Sequence, residues 1–345
     1  MTLIGMLHFR EDPWKVTKTY AYAAAAKAEG VDFFYFTPDN VWIEEKIITG
    51  KVYENGEWME KTFPFPDVIY NASAPPDDEA EEVYDFLYDI IPFTSHSIGN
   101  KLSVYNRIKK GRRFEKHLIP TFEPTETKMV FKLVSQYGKV ILKPKSGHQG
   151  KGIVMIEKKW PGWYRLVGTG NNISGTKKRL LKWLSANIPI DKYIAQPFLS
   201  CKLESGHVYD LRLHVQKNGD GEWVITSIYP RIGPLGSITS NIGSGGYTGY
   251  LDDILKKEFP DSWRDLQKKV ERFAIDFSNH FESLYRGELF DEFGVDIGID
   301  ENQKLWLFEV NWRPGPPMIF DCELDVARNT ILYAKYLAQL KKDEL

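Results

Sequence analysis

Asp296, Glu309 and Asn311 are the side chains in this sequence best suited to a hard divalent cation. They lie in Gly294-Val-Asp-Ile-Gly-Ile-Asp-Glu-Asn-Gln-Lys-Leu-Trp-Leu-Phe-Glu-Val-Asn-Trp-Arg-Pro-Gly315. Two apolar-rich runs, Gly294 to Ile299 and Lys304 to Val310, flank the turn-like Asp300-Glu301-Asn302-Gln303, which is the pattern of a β-hairpin. A turn centred on Asn302-Gln303 sets Asp296 opposite Glu309. Strand alternation then puts Leu305, Leu307, Glu309 and Asn311 on one face and Trp306, Phe308 and Val310 on the other. Both faces are otherwise apolar. Two unpaired acids there would repel each other and be poorly solvated, and a cation would resolve the conflict. Oxygen ligands of this kind suit magnesium, which often enters a site with nucleotide phosphates. The competing reading is a surface hairpin with scattered acids.

Other segments could supply the rest of such a site. Lys143 ends the apolar run Val140-Ile-Leu, and Pro144 after it favours an extended backbone. Gly147, Gly150 and Gly152 follow, and a glycine-rich turn lets backbone N–H groups approach phosphate oxygens. The Gly-Lys-Ser/Thr of a Walker loop is absent, so this loop joins two strands as a flap, or is an ordinary hairpin loop with a solvated lysine. Tyr193-Ile-Ala-Gln-Pro-Phe-Leu199 is an apolar strand broken by Pro197, which frees backbone groups near Gln196, Phe198 and Leu199. Asp210, Arg212 and His214 share one face of a strand. Arg212 either holds a phosphate or carboxylate in its fork or pairs with an acid on a half-exposed strand. His214 reads as structural. The stretch from Pro230 to Gly246 lacks apolar periodicity, so Arg231 and Asn241 sit in a long loop that is either functional or mobile.

The elements that must position these residues fall into three stretches. Residues 1–95 alternate strand and helix: Leu3–Phe9, Thr17–Glu29, Val31–Thr37, a hairpin of Lys46–Val52 and Glu57–Lys61, Asp67–Asn71, and Glu79–Ile90. This reads as a small α/β unit with a parallel sheet. Residues 96–135 read as helical with breaks at Gly111 and Ile119-Pro, and Lys101 stands near the start of the first helix. Lys128–Gln136 reads as a helix, Val140–Lys143 and Ile153–Glu157 as the strands on either side of the glycine loop, Lys177–Ala186 as a helix and Tyr193–Phe198 as a strand. A hairpin of Val208–Gln216 and Glu222–Tyr229, a long helix over 263–286, the Asp296 hairpin and a helix over Asp325–Leu340 complete the chain.

Bulk properties narrow the function. At 345 residues with 42% apolar content the chain can bury more than one core. A net charge of −2 argues against nucleic acid or a membrane surface as a bulk electrostatic partner. Two cysteines, Cys201 and Cys322, make no disulfide framework and suit a reducing compartment such as the cytoplasm. No apolar run approaches the roughly 20 residues of a spanning helix, and the first residues do not read as a signal peptide.

In this order the segments resemble the ATP-grasp superfamily in its glutathione-synthetase-like form. The motifs are Lys143-Pro144, Gln196-Pro-Phe-Leu199, Asp210-Leu-Arg212, Ser240-Asn-Ile-Gly-Ser-Gly-Gly246, Gly294-Val-Asp296 and Glu309-Val-Asn-Trp-Arg-Pro-Gly315. Gly5-Met-Leu, Asp67-Val-Ile-Tyr-Asn and Asn100-Lys101 bring the chain nearer to the spore-coat-associated ATP-grasp proteins of endospore-forming bacteria. The resemblance implies an α/β fold with α+β subdomains. A pre-ATP-grasp domain would span 1–95, a central subdomain with the flap 96–195, and a C-terminal subdomain with the metal site 196–345. Lys101 and Lys143 would contact ATP, the main chain of Gln196 to Leu199 would hold adenine, and Glu204 would bind ribose. Arg212 would bind phosphate, and Asp296, Glu309 and Asn311 one or two magnesium ions. Arg231 and Asn241 would face an acyl phosphate or substrate. Gln196, His148-Gln149 and Ser244 depart from the commonest family pattern. The implied activity is an ATP-dependent carboxylate–amine ligase acting on small-molecule or peptide acids and amines. The alternatives are a coat component that binds ATP without catalysis, associated with other coat proteins, and a small-molecule kinase on the same fold.

Overall fold

Three sheets organise the computed structural model, which describes residues 1–343 apart from 148–150, 169, 200, 241 and 319–321. The first comprises β1 (Leu3–Leu7), β2 (Asp32–Phe36), β3 (Val41–Trp42), β4 (Ile47–Glu54), β5 (Glu57–Pro64) and β6 (Val68–Asn71). Its spatial order is β3-β4-β2-β1-β6, with β5 on β4. The expected parallel sheet holds only for its centre. β2, β1 and β6 run parallel, whereas the β4–β5 hairpin adds on antiparallel. Asn55 and Gly56 make that hairpin tight, since both take positive φ, the requirement of a type I′ turn.

β1, β2 and β6 are almost wholly buried because helices cover both faces. Helix α1 (Thr19–Ala28) packs on one face and α2 (Asp78–Ile90) on the other. The α1 face is completed by the last helix. That helix was expected in the C-terminal subdomain, but its Ala327, Ile331, Ala334 and Ala338 pack with Ile4, Met6, Tyr22 and Tyr70. These positions recur at helical spacing, and three of the four are alanines, which suits close approach to the alanine-rich α1.

The central sheet is antiparallel, with β7 (Lys139–Pro144), β8 (Val154–Trp160), β9 (Trp163–Gly168), β10 (Asn171–Thr176) and β11 (Tyr193–Pro197) in the order β10-β9-β8-β7-β11. Helices α4 (Thr127–Tyr137) and α5 (Lys177–Asn187) cover one face. α3 (Lys101–Gly111) was expected to belong here. Its Val104 and Ile108 instead join the core of the third sheet.

That third sheet runs β14-β13-β12-β15-β16, from β12 (Tyr209–Lys217), β13 (Trp223–Ile232), β14 (Tyr247–Thr248), β15 (Glu292–Ile299) and β16 (Leu305–Asn311). α6 (Leu251–Glu258) and α7 (Trp263–Ser283) close its apolar face, α7 through Leu266, Val270, Phe273, Phe277 and Phe281. The last helix is α8 (Glu323–Asp343). The opposite face of this sheet is polar and looks toward the central sheet.

Candidate nucleotide and metal site

A row of ion pairs lies along the polar face of the third sheet. On β12, alternation sends Asp210, Arg212 and His214 the same way. Asp210 takes the fork of Arg231 from β13, with Nε–Oδ1 2.7 Å and Nη2–Oδ2 2.6 Å. Arg212 grips Asp296 of β15 through Nε–Oδ1 at 2.5 Å and Nη2–Oδ2 at 3.2 Å. Arg231 Nη2 also reaches Asp296 Oδ2 at 2.8 Å. His214 Nε2 stands 3.3 Å from Glu292 Oε2. Gly294 makes room for this row: a Cβ there would lie 2.6 Å from Pro314 Cβ and 3.1 Å from Arg212 Nη1. Burial alone would raise the Asp296 carboxyl, but Arg212 and Arg231 outweigh it and hold the group below the usual carboxylate range. Burial likewise opposes the charge on Arg231, which Asp296 and Asp210 restore.

The Asp296 hairpin forms with the expected partner, since Asp296 pairs with Glu309. Two expectations about it fail. Asp296 is not an unpaired acid, because both of its oxygens are held by guanidinium groups from neighbouring strands. Nor do Leu305 and Leu307 share a face with Glu309 and Asn311. The register shifts after Asp296, leaving Phe308 as the extra residue of a bulge. Leu305, Leu307 and Val310 therefore all enter the core, while Phe308, Glu309 and Asn311 line the cavity. Gly298 leaves space for the displaced ring, since a Cβ there would stand 2.4 Å from Phe308 Cζ.

Lys101 opens α3, which is capped by Asn100. Its Nζ meets Glu309 Oε1 at 2.8 Å and donates to the Gly147 carbonyl at 2.8 Å. Thus the flap's first glycine, α3 and the hairpin converge on one ammonium. Lys143 is half-buried beside them. Desolvation lowers its pKa, nearby Lys101 adds to that, and Glu309, Asp296 and Asp210 only partly compensate.

Two adjoining cavities, of about 480 and 420 Å³, open between the central and third sheets. The second is lined by Lys101, Lys143, Lys151, Arg212, Arg231 and Arg313 against three carboxylates, Asp210, Asp296 and Glu309. This excess of positive charge in a half-enclosed space suits a polyanion. Gly147, Gln196, Phe198 and Leu199 line it too. The Phe198 N–H is already given to the Lys139 carbonyl at 3.0 Å. Gln196 donates through Nε2 to Thr121 Oγ1 at 2.8 Å. Its buried Oε1 has no hydrogen-bond partner among the described residues.

Glu204 is not brought to either cavity. A tight turn, with Leu203 N bonded to His207 O and Gly206 N to Leu203 O, buries Leu203 and leaves Glu204 exposed, with its N–H on Glu258. Gly150 and Asn241 lie outside the described residues, as do His148, Gln149 and the side chain of Ser244.

Sequence reasoning missed Arg313 and Phe308. Arg313 lines both cavities while its Nη1 meets Asp291 Oδ1 at 2.6 Å and its Nε the Asn71 carbonyl at 2.6 Å. An arginine between Trp312 and Pro314, directly after the hairpin, was the available signal. Phe308 had none, because the bulge that turns it inward is invisible in the alternation.

For a metal, Glu309 and Asn311 supply hard oxygen donors on one strand, with Asp296 across the ladder. No donor among the described residues reaches Glu309 Oε2 or Asn311 Oδ1. Among those residues, no group of three or more His, Cys, Asp or Glu side chains stands close enough to hold an ion. The donor set fits an oxygen-seeking ion bound partly by phosphate, since magnesium usually takes one or two carboxylates plus phosphates.

A family model described as YheC/D like ATP-grasp matches residues 90–337. The chain belongs to the YheC/D-like ATP-grasp family. It is 27% identical over 325 residues to the endospore coat-associated protein YheD of Bacillus subtilis (strain 168), covering 89% of this chain and 70% of that protein. The endospore coat-associated protein YheC of the same organism is 23% identical over 308 residues, covering 85% and 83%. Among solved structures, an N5-carboxyaminoimidazole synthase from Aspergillus clavatus, in complex with ADP and its ribonucleotide, matches at TM-score 0.56 and 12% identity, over 96% of this chain and 76% of that one. D-alanyl-alanine synthetase A from Vibrio cholerae matches at TM-score 0.53 and 12% identity, over 98% of both chains. These likenesses establish the ATP-grasp fold.

Proposed function

We propose that this YheC/D-like ATP-grasp protein is an ATP-dependent ligase that joins a carboxylic acid to an amine, releasing ADP and phosphate. The observation that carries the reading is the cavity with six cationic side chains facing three carboxylates, in a chain whose fold is shared with ligases. Lys143 and Lys101, which line the cavity, neutralise the phosphates. A phosphate arriving at Lys143 also returns the proton affinity that burial takes away. Glu309 and Asn311, with Asp296 across the ladder already shared between Arg212 and Arg231, would hold magnesium, which when bound would spread the phosphate charge.

The acid's oxygen attacks the terminal phosphorus, and ADP departs. The amine nitrogen then attacks the acyl carbon, phosphate leaves, and the nitrogen gives up its proton. Little of this needs covalent help from protein; it needs alignment and charge neutralisation. Arg231 and Arg212, held in fixed forks by Asp210 and Asp296, present guanidinium edges to the negative charge that builds on the acyl oxygens. Donors fixed in this way are typically worth about 3 kcal/mol each.

The test is an ADP-release screen with amino acids and short peptides, with products weighed by mass spectrometry. An acid–amine pair that yields ADP and an amide supports the reading. In Glu309→Gln, ADP formation should vanish while the melting temperature holds; full turnover in that variant would sink the metal assignment. The coat association of YheD and YheC favours one other reading, a coat-associated protein that here would bind ATP without turning it over. That protein would bind ATP and release no ADP with any pair. A phosphorylated acid accumulating without amide would instead mark a kinase.

A further inference from the structure

The chain's net charge of −2 conceals a separation. Residues 121–200 carry fourteen lysines and arginines against four acids, leaving 31 against 43 elsewhere. Lys143, Lys145 and Lys151 line the cavities. Much of the remaining excess gathers at the other end of the central sheet, around the β8–β9 turn. Pro161 and Gly162 form that turn and are exposed. Trp160 and Trp163 bracket it with their rings stacked, 5.8 Å between centroids and 5° between planes. Trp160 is 58% exposed.

The sheet register brings a second group to the same place. Trp163 pairs with Thr176, which caps α5. The first three residues of α5 are Lys177, Lys178 and Arg179, all exposed, with no acid in the first turn. Cations there oppose the helix dipole, so folding does not account for them. Lys158 and Lys182 are exposed nearby. None of Lys158, Lys177, Lys178, Arg179 or Lys182 has a carboxylate partner among the described residues. An exposed indole, backed by a half-buried one, thus stands beside a field of cations without carboxylate partners among the described residues.

We propose that this end of the central subdomain is a docking surface for an anionic lipid bilayer. Unpaired lysines and arginines are drawn to anionic headgroups, with an attraction that salt weakens. Indoles settle at headgroup depth. A two-residue hairpin tip is convex, which suits a flat partner. A single-stranded nucleic acid would stack its bases on open indole faces, and here the two near-parallel rings lie offset against each other with no room for a base between them. The contact is peripheral, since no helix among the described residues is long and apolar enough to cross a membrane. It is also remote from the nucleotide: Trp160 stands seven residues along the chain from Ile153 at the cavity, roughly 20 Å in an extended strand. The proposal therefore stands or falls separately from the ligase reading.

The experiment is cosedimentation of the full chain with large vesicles of phosphatidylcholine alone or of equal parts phosphatidylcholine and phosphatidylglycerol. Binding should appear only with the anionic vesicles, weaken with salt, and shift tryptophan emission to the blue. Trp160→Ala should remove most of that shift. The double variant Lys177→Glu/Lys178→Glu should bind about tenfold more weakly or worse. Acids in a first helical turn favour the helix, so this variant should fold, and its nucleotide affinity should be unchanged. Three results would overturn the proposal: no binding to the anionic vesicles at low salt, undiminished binding by the charge-reversed variant, or equal binding to the phosphatidylcholine vesicles. A single-stranded oligonucleotide bound more tightly than the vesicles at equal phosphate would also overturn it, in favour of nucleic acid.

Discussion

The two walls of the cavity solve the problem of buried charge differently. The wall built by the third sheet is finished before any ligand arrives. Each cation in its row has a carboxylate on a neighbouring strand: Arg231 has Asp210, Arg212 has Asp296, and Arg231 spans both acids. The wall built by the central sheet is open. Among the described residues Lys143 is desolvated with no ion-pair partner in contact, and Gly147 is tied through Lys101 to Glu309 of the opposite wall. One wall gives shape and the other gives unspent charge. An anion gains most from the second and is aligned by the first.

Removing one member of the paired wall should have the largest effect on folding. Arg212→Met leaves Asp296 with only Arg231, and breaking a buried pair from one side costs about 3–5 kcal/mol. Urea unfolding measures this, and a loss below about 1 kcal/mol would show that the row is not the rigid half. Lys143→Met should do the reverse. Its stability should hold or rise, because a desolvated charge disappears. ATP affinity measured by calorimetry should fall about tenfold to a hundredfold, as expected for one hydrogen bond to a charged group.

A pH series sharpens the same contrast. Burial lowers the Lys143 pKa, and phosphate prefers its protonated form. ATP affinity should therefore weaken on the alkaline side, starting below the ordinary lysine value, and this limb should vanish in Lys143→Met. Acid should spare the Asp296 carboxylate of the paired wall and act first on buried imidazoles, His214 at the end of the row among them, since burial lowers its pKa too. Desolvation lowers His8 and His96 from 6.5 to about 4. The unfolded chain takes up those protons first, so stability should decline as pH falls from 6.5 to 4. His8→Gln and His96→Gln should each flatten the slope. Glu292 in the polar row is held down to about 2, with Lys18, His214 and Arg313 overcoming its burial, so its contribution should survive that window and fade only as pH falls toward 2.

Much of the site was legible because local pattern decided it. The two apolar-rich runs around Asp300 to Gln303 gave the hairpin, but its turn centres on Asn302 and pairs Ile299 with Leu305, so it is the bulge at Phe308 that brings Glu309 opposite Asp296. Lys143, Pro144 and Gly147 line the cavity. Residues that depend on non-local geometry were not legible. Strand alternation cannot show the bulge at Phe308, and no local pattern says that Arg212 takes Asp296 rather than its neighbour Asp210. The register shift between His214 and Val215 is what aligns Asp210 with Arg231. Strands β9 and β10 were not foreseen either. β10, Asn171-Asn-Ile-Ser-Gly-Thr, is a mostly exposed edge strand without an apolar alternation to read.

The placement of α8 bears on how the chain is made. β1, β2 and β6 belong to the first 71 residues, yet part of the apolar cover for Ile4, Met6 and Tyr70 comes from residues 323–343. During synthesis that face emerges early and is completed last, after both sheets of the cavity have left the ribosome. The order of translation therefore leaves a sticky surface on the nascent chain for most of its production, where a chaperone would find it.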